Sequence, residues 1–479
     1  MVGVRPGPVI LWFRRDLRLA DNPALDRALA SGRAVIPVYI HDDGLEDRPL
    51  GAASRWWLDK SVRALGASLE ALGSRLVLRA GSAPVVLKAL ADETGAGALA
   101  FNRLHDPGAT QREQAVRAAL PGLECADFAA SWLAEPGTVL TGSGGPYKVF
   151  TPFGRALRSN LDLPMLTSPP DRLPAPEGWP RSEAIGSWGL HPSQPDWSGG
   201  FAGWIPGEAG ARERLIDFVD SGLRDYVRGR DAPGLKDGTS SISPHLRFGE
   251  IAPWRLAIAA QEAARRNPGF DTASDKFVGE LAWRDFGAHL LFHFPTMPRA
   301  NMRPEFDRMP WRDDPEGFEA WTRGRTGYPI VDAGMRQLWA TGWMHNRVRM
   351  IVASFLVKDL MIDWRRGEAW FWDTLVDADP ASNAMNWQWS AGSGVDAAPY
   401  FRVFNPALQG ERFDSAGAYV RRWVPELARV PDRWIHRPDA APPLLLAETG
   451  VRLGRDYPAP IVDHGVARTR ALEAWRTLK

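Results

Sequence analysis

The chain contains a single cysteine, Cys125, among 479 residues. This excludes an internal disulfide framework and any zinc or iron–sulfur site built on several thiolates. It also fits a reducing compartment, so a cytoplasmic location is expected. No run of about 18 apolar residues occurs, and the first residues lack a basic segment followed by an apolar one, so neither a membrane span nor a secretory signal is expected. A charge excess is missing as well, since 58 Lys and Arg face 57 Asp and Glu for a net charge of +1. A protein that holds nucleic acid through a broad positive field is thereby excluded, and any such contact has to use a local patch. Repeats, low-complexity tracts and heptads are absent too. The expected state is a monomer without an obligatory protein partner.

Tryptophan, by contrast, is abundant, with 22 residues in the chain. Residues 343–389 gather Trp343, Met344, His345, Asn346 and Arg347, then Asp363, Trp364 and Arg365, then Asn386, Trp387, Gln388 and Trp389. A helical core rich in Trp is the plain reading, because large aromatics are mostly buried for packing. Indoles set among Asn, Asp and Arg also suit electron transfer to an aromatic cofactor beside an aromatic substrate, since they stack on bases and lose one electron readily.

Short apolar runs at residues 9–13, 34–40, 75–78 and 98–101 alternate with amphipathic segments, which predicts a parallel sheet covered by helices. Ligands of such sheets bind beyond the carboxyl ends of the strands, so the loops after Phe13, Ile40 and Phe101 are candidate contacts. The glycine pattern at 95–100 precedes a strand and opens no helix, so it is not a phosphate loop. Between 137 and 207, prolines such as Pro164, Pro169, Pro170, Pro192 and Pro195 forbid long helices, and the segment is expected to pack across a surface with its tryptophans as anchors. From about Ala211 onward, apolar residues recur at three- and four-residue spacing, which predicts an all-α domain. The expected division is therefore an α/β domain over 1–135, a connector over 136–210 and an all-helical domain over 211–479.

The chain carries Trp12-Phe13-Arg14-Arg15-Asp16-Leu17-Arg18, Tyr147-Lys148-Val149-Phe150-Thr151-Pro152-Phe153 and Gly238-Thr239-Ser240-Ser241-Ile242-Ser243-Pro244. These are followed by Glu280-Leu281-Ala282-Trp283-Arg284, Thr326-Gly327-Tyr328-Pro329-Ile330-Val331-Asp332-Ala333, Trp343-Met344-His345-Asn346-Arg347 and Asp396-Ala397-Ala398-Pro399-Tyr400-Phe401-Arg402. In this order they closely resemble the DNA photolyases of the photolyase/cryptochrome superfamily, over nearly the whole length. The resemblance implies a Rossmann-like antenna-binding domain followed by an all-α FAD-binding catalytic domain. Residues 371–380 together with Val462-Asp463-His464-Gly465 resemble the class III branch of cyclobutane-dimer enzymes. That branch favours methenyltetrahydrofolate over a deazaflavin as antenna, in a region that takes in residues 51–58 and Asn102.

On this resemblance Tyr226, Thr239, Ser240, Ile242, Ser243 and Arg284 would line the phosphates and ribityl chain of FAD. The plain reading of the 238–243 segment is a Ser/Thr helix cap, and its backbone N–H groups and hydroxyls equally suit a diphosphate. Asp377, Asp379 and Asn383 would surround the flavin ring with Arg349 paired to Asp377, and Asn346 would be shared between cofactor and substrate. Asn383 would face flavin N5, where a neutral amide suits a fully reduced, anionic flavin. Trp387, Trp364 and Trp311 match the family's tryptophan chain for photoreduction. Trp370 and Trp372 are expected in the core.

A pyrimidine dimer in a duplex has to be flipped out at a cost of a few kcal/mol, photolyases being among the established base-flipping enzymes. Glu280 and Asn346 would supply the polar side of the dimer pocket, with Trp283, Trp389 and Met350 as its apolar walls. Arg230, Arg347 and Arg402 would contact phosphates of double-stranded, UV-damaged DNA. Each Arg alone is an ordinary surface residue, and Glu280 alone an ordinary helix carboxylate. His345 is read as packing or hydrogen bonding, and His289 with His293 as structural histidines, since no third metal ligand accompanies them. The implied reaction is light-driven splitting of cyclobutane pyrimidine dimers. A cryptochrome-like photoreceptor and a (6-4) photolyase are the alternatives, and a DASH-type single-strand enzyme fits the 343–349 region less well.

Overall fold

The computed structural model describes residues 7–42, 48–397 and 402–478. The N-terminal residues 1–6 and the motif residues 398–401 lie outside them. Five parallel strands, β1 (Val9–Phe13), β2 (Val35–His41), β3 (Val77–Ala80), β4 (Ala98–Asn102) and β5 (Glu124–Phe128), form one sheet in the order β3-β2-β1-β4-β5. The central strand β1 and its neighbour β4 are buried along their whole length. This is why they read as continuous apolar runs, as strands covered by helices on both faces do. The apolar runs of the sequence mark four of these strands and leave out β5. As an edge strand it is half exposed and carries Glu124 and Asp127, so its apolar signal is weak.

The strand order reverses between β1 and β4, and the loops beyond their carboxyl ends hold a buried polar network. The Asn102 amide donates to Asp16 Oδ2 (2.6 Å) and Asn22 Oδ1 (2.8 Å), while Arg14 pairs with Glu113 at 2.7 Å. Arg18 donates to the carbonyls of Gly249 (2.9 Å), Ala130 (2.8 Å) and Asp21 (2.9 Å). The 12–18 motif is therefore architectural, since buried guanidinium groups survive only when paired and hydrogen-bonded.

The proline-rich segment covers the open edge of β3. Leu78 N–H donates to Ser182 Oγ (2.9 Å) and the Glu183 N–H to Leu78 O (2.9 Å), which blunts an edge that could otherwise template pairing. Its Trp188 stacks on His41 with centroids 5.1 Å apart, and Trp179 packs against the sheet's core.

The helices follow as α1 (Pro23–Ala30), α2 (Ala52–Ala71), α3 (Ala83–Thr94), α4 (Ala109–Ala119), α5 (Phe150–Ser159), α6 (Glu208–Asp217), α7 (Tyr226–Gly229), α8 (Ser243–Phe248), α9 (Pro253–Arg266) and α10 (Asp271–His293). Then come α11 (Pro315–Thr322), α12 (Pro329–Thr341), α13 (Asn346–Ser354), α14 (Trp364–Thr374), α15 (Pro380–Ala391), α16 (Pro406–Phe413), α17 (Ala418–Trp423), α18 (Pro443–Thr449) and α19 (His464–Arg476). By compactness the chain forms two units. The first takes residues up to 197, 204–220 and 240–295, and the second 198–203, 221–239 and 296 onward. Among the described residues no helix is long and apolar enough to cross a membrane.

Candidate functional site

In the first unit, α10 brings Glu280, Trp283 and Arg284 onto one face by their spacing of three and four residues. Glu280 Oε1 lies 3.0 Å from Lys276 Nζ, one turn earlier. The half-buried Trp283 ring is stacked face to face on Phe150, with centroids 3.6 Å apart and an interplanar angle of 11°. One face of Trp283 is therefore taken by the protein itself. Phe150 opens α5 and sits inside the 147–153 motif, yet the sequence alone gives it no role because an aromatic at a helix start has no distinguishing signal. Arg284 donates to Ser131 O (2.6 Å) and Leu246 O (3.3 Å) and lies 4.0 Å over the Trp132 ring, which ties α10 to α8.

Directly upstream of α8, Ser240 and Ser241 are half buried and Ile242 is buried, and Ser243, the first residue of α8, is exposed. Ser241 has φ +49°, a left-handed conformation that a non-glycine side chain disfavours and that clusters at ligand clamps. Asp285, the residue after Arg284, is fully buried and accepts from Leu133 N–H (2.8 Å) and Ala134 N–H (3.1 Å), while its Oδ1 has no partner among the described residues. Burial pushes its carboxyl up to about 7.

In the second unit, Tyr226 is buried at the start of α7, and Thr239 is half buried. Gly229 and Gly238 touch backbone to backbone, because a Cβ on Gly238 would lie 2.5 Å from Gly229 O. This close approach needs glycine and sets the beginning of the 238–243 segment against α7.

His345 caps α13, its Nδ1 accepting from Arg347 N–H at 3.2 Å. The ring proton is therefore on Nε2, which is buried without a partner among the described residues. Burial, ahead of the neighbouring charges, holds His345 down to about 4, so it is a neutral ring at neutral pH and no ready proton donor.

From this cap α13 presents the exposed Asn346 and the half-buried Arg347, Arg349 and Met350. Arg349 Nη2 reaches both oxygens of the buried Asp377 (3.0 and 2.8 Å), and its Nε donates to Met344 O (2.7 Å). The expected pair is thus formed. Arg347 pairs with Asp231 at 2.9 Å.

Asp379 caps α15 by accepting from Ala381 N–H (3.1 Å) and Ser382 N–H (2.8 Å). One turn into that helix, the buried Asn383 donates Nδ2 to Glu368 O (3.0 Å) and Glu368 Oε1 (2.8 Å). Both partners are acceptors, so the amide orientation is assigned by its contacts and the group left over is the acceptor Oδ1, which has no partner among the described residues. Glu368 has no sequence signal pointing to Asn383, fifteen residues away. Trp389 is half buried and tilted against Phe404, with centroids 6.5 Å apart. Arg230 is half buried, with its guanidinium 6.0 Å from the Tyr226 ring centroid. Arg402 is exposed, and its carbonyl accepts from the buried Lys358 ammonium, which burial pushes down to about 7.

Trp387 and Trp364 are buried and Trp311 is partly exposed. Trp387 meets Phe371 edge-on at 5.0 Å and packs directly against Gly367 of α14, where a Cβ would strike its ring. Trp364 Nε1 donates to Asn301 Oδ1 at 2.9 Å. Trp372 is in the core as expected, but Trp370 is half buried and stacks on the exposed Trp339 at 6.0 Å, so it belongs to the surface. In the first unit, His289 Nε2 contacts Tyr147 O at 3.2 Å and its ring lies 4.6 Å from that of His293. No group of side chains among the described residues is arranged to hold a metal ion.

These residues fit a flavin nucleotide in kind. An amide acceptor left without a partner among the described residues and a guanidinium–carboxylate pair suit a heteroaromatic ring carrying N–H donors, and the left-handed serine segment suits a phosphate. Comparison with known proteins agrees. Residues 9–177 match the DNA photolyase family and 277–477 the FAD binding domain of DNA photolyase. The chain is 52% identical to the deoxyribodipyrimidine photo-lyase of Agrobacterium fabrum over 100% of this chain and 99% of that protein. It is 38% identical to cryptochrome-2 of Arabidopsis thaliana, over 96% of this chain and 77% of that protein. Among solved structures, a bacterial class III photolyase from Agrobacterium tumefaciens superposes with a TM-score of 0.95 at 52% identity, covering 99% of this chain and 98% of that one.

Proposed function

The chain belongs to the DNA photolyase family, and from that premise we propose that it is a class III deoxyribodipyrimidine photo-lyase that repairs cyclobutane pyrimidine dimers in UV-damaged DNA with light. The observation that carries this reading is the full-length likeness to a photo-lyase. FAD is the cofactor; when bound in its reduced, anionic form it supplies the excited electron that splits the cyclobutane ring and takes that electron back, with no net redox change.

The protein's own work is binding and orientation. Tyr226, Thr239, Ser240, Ile242, Ser243 and Arg284 hold the phosphate and ribityl part of the cofactor, and Asn346, Arg349, Asp377, Asp379 and Asn383 hold its ring. Glu368 fixes the Asn383 amide through its Nδ2, and the acceptor Oδ1 left over would favour an N–H on a bound reduced flavin. Trp387, Trp364 and Trp311 carry electrons inward, from the partly exposed Trp311 to the buried Trp387. Glu280 and Asn346 hydrogen-bond the flipped dimer, Trp283, Trp389 and Met350 wall it, and Arg230, Arg347 and Arg402 take phosphates.

The accompanying organisation is an antenna domain over 1–135, a connector over 136–210 and a catalytic domain over 211–479, in a cytoplasmic monomer. The antenna pigment of this reading is methenyltetrahydrofolate, with a deazaflavin as the other choice. The likeness to a plant cryptochrome supports a second reading, a blue-light photoreceptor. The deciding experiment is light-dependent repair of two duplexes by the reduced holoenzyme, one with a cyclobutane thymine dimer and one with a (6-4) product, each with a dark control. Repair of the first alone is expected. Repair of neither, with FAD bound and photoreducible, would leave the photoreceptor.

A further inference from the structure

Within the second unit the Arg347 guanidinium is engaged on several sides. Nη2 is 2.9 Å from Asp231 Oδ1, Nη1 lies 3.7 Å from Met350 Sδ, and Cζ sits 4.3 Å over the Phe413 ring. Its Nε is buried without a hydrogen-bond partner among the described residues. Asp231 is the more exposed member of the pair, at 36% against 19% for the arginine side chain. Arg349 is already paired with the buried Asp377, so Asp231 is the more accessible carboxylate at this cluster of arginines.

We propose that Asp231 is a built-in competitor of DNA: its carboxylate occupies the Arg347 guanidinium in place of a backbone phosphate, so DNA gains this contact only by opening the Asp231–Arg347 pair. The inference rests on the phosphate role given to Arg347 above. A guanidinium donates its N–H groups to a carboxylate or a phosphate alike, and a single Nη2 contact holds the carboxylate here, so the exchange is one anion for another. Phe413 and Met350 keep the arginine in place during the exchange, which leaves Asp231 as the part that moves. The cost falls on every duplex, damaged or not, and keeps affinity for bulk DNA low and release fast in a chain whose net charge is already only +1.

The test is a double-mutant cycle on the holoenzyme in the dark, reading the affinity for an undamaged duplex and a thymine-dimer duplex over a range of salt. Asp231→Asn in the natural background tightens both by roughly two- to fivefold, the span expected for releasing an exposed ion pair. In an Arg347→Gln background the same change gives no gain. Arg347→Gln alone flattens the salt dependence by about one phosphate contact, and Arg347→Met, which keeps the stem against Phe413 and Met350 without the charge, serves if Gln impairs folding. An equal gain from Asp231→Asn in both backgrounds would mean a general charge effect and would overturn the proposal, as would no gain in the natural background. Absence of any preference of the wild-type protein for dimer DNA would count against the proposed function instead, while the undamaged-duplex arm would still decide the role of Asp231.

Discussion

Single side chains here are defined by what already occupies them. Glu280 has Lys276 at 3.0 Å, Asn383 has its amino group committed to Glu368, and Arg349 spans both oxygens of Asp377. Partners of this kind fix rotamers before a ligand arrives, so that less ordering is left to binding. The proposed function puts Glu280 in the substrate set and not in the cofactor set, so Glu280→Ala should separate the two. Losing a charged hydrogen-bond acceptor costs about 1.5–3 kcal/mol, or roughly ten- to a hundredfold in repair per dimer bound. FAD content, read from the flavin absorbance of the purified variant, should stay at the wild-type level. Equal repair by variant and wild type would remove Glu280 from the pocket.

Helix α10 carries Glu280, Trp283 and Arg284 on one face, and α5 supports that face from behind through the Phe150–Trp283 stack at 3.6 Å. Stacked aromatic pairs are worth about 0.5–1.5 kcal/mol beyond burial, enough to hold one indole orientation. Phe150→Ala should therefore weaken binding of dimer DNA by about three- to tenfold, while Phe150→Tyr restores it and undamaged-duplex affinity hardly moves. A loss shared equally by both duplexes, or a failure of Tyr to rescue, would show that α5 only supports folding. The motif containing Phe150 is visible in the chain. Its part is not, because the two rings are brought together by packing of helices more than a hundred residues apart.

Over the whole molecule, the buried titratable groups couple the fold to pH. Asp285 is raised from 3.8 to about 7 by burial. The folded protein thus holds a proton that the unfolded chain has lost, and this group's contribution to stability falls as pH rises from about 4 to about 7. His345 and His289, both held down to about 4 by burial, act in the opposite sense and cost stability as pH falls below 6.5. Asp285→Asn removes only the first effect. Its melting temperature relative to wild type should climb between pH 4.5 and 7 and then level off, an advantage on the order of a few kcal/mol at most. A difference that does not vary with pH would mean that the Asp285 carboxyl is not raised in the folded protein.

The α/β-then-helical order, four of the five strands and the family are legible before the chain is folded. These are legible because hydrophobic period and motif order are local properties of the chain. Tertiary structure alone decided that β5 completes the sheet edge, that residues 182–183 cover the opposite edge, that Trp370 lies at the surface and that Asp231, Phe150 and Glu368 stand behind Arg347, Trp283 and Asn383. Each of these is a contact between segments far apart in the chain. Its energy comes from burial and hydrogen-bond geometry that exist only once the chain is folded, so no local pattern announces it.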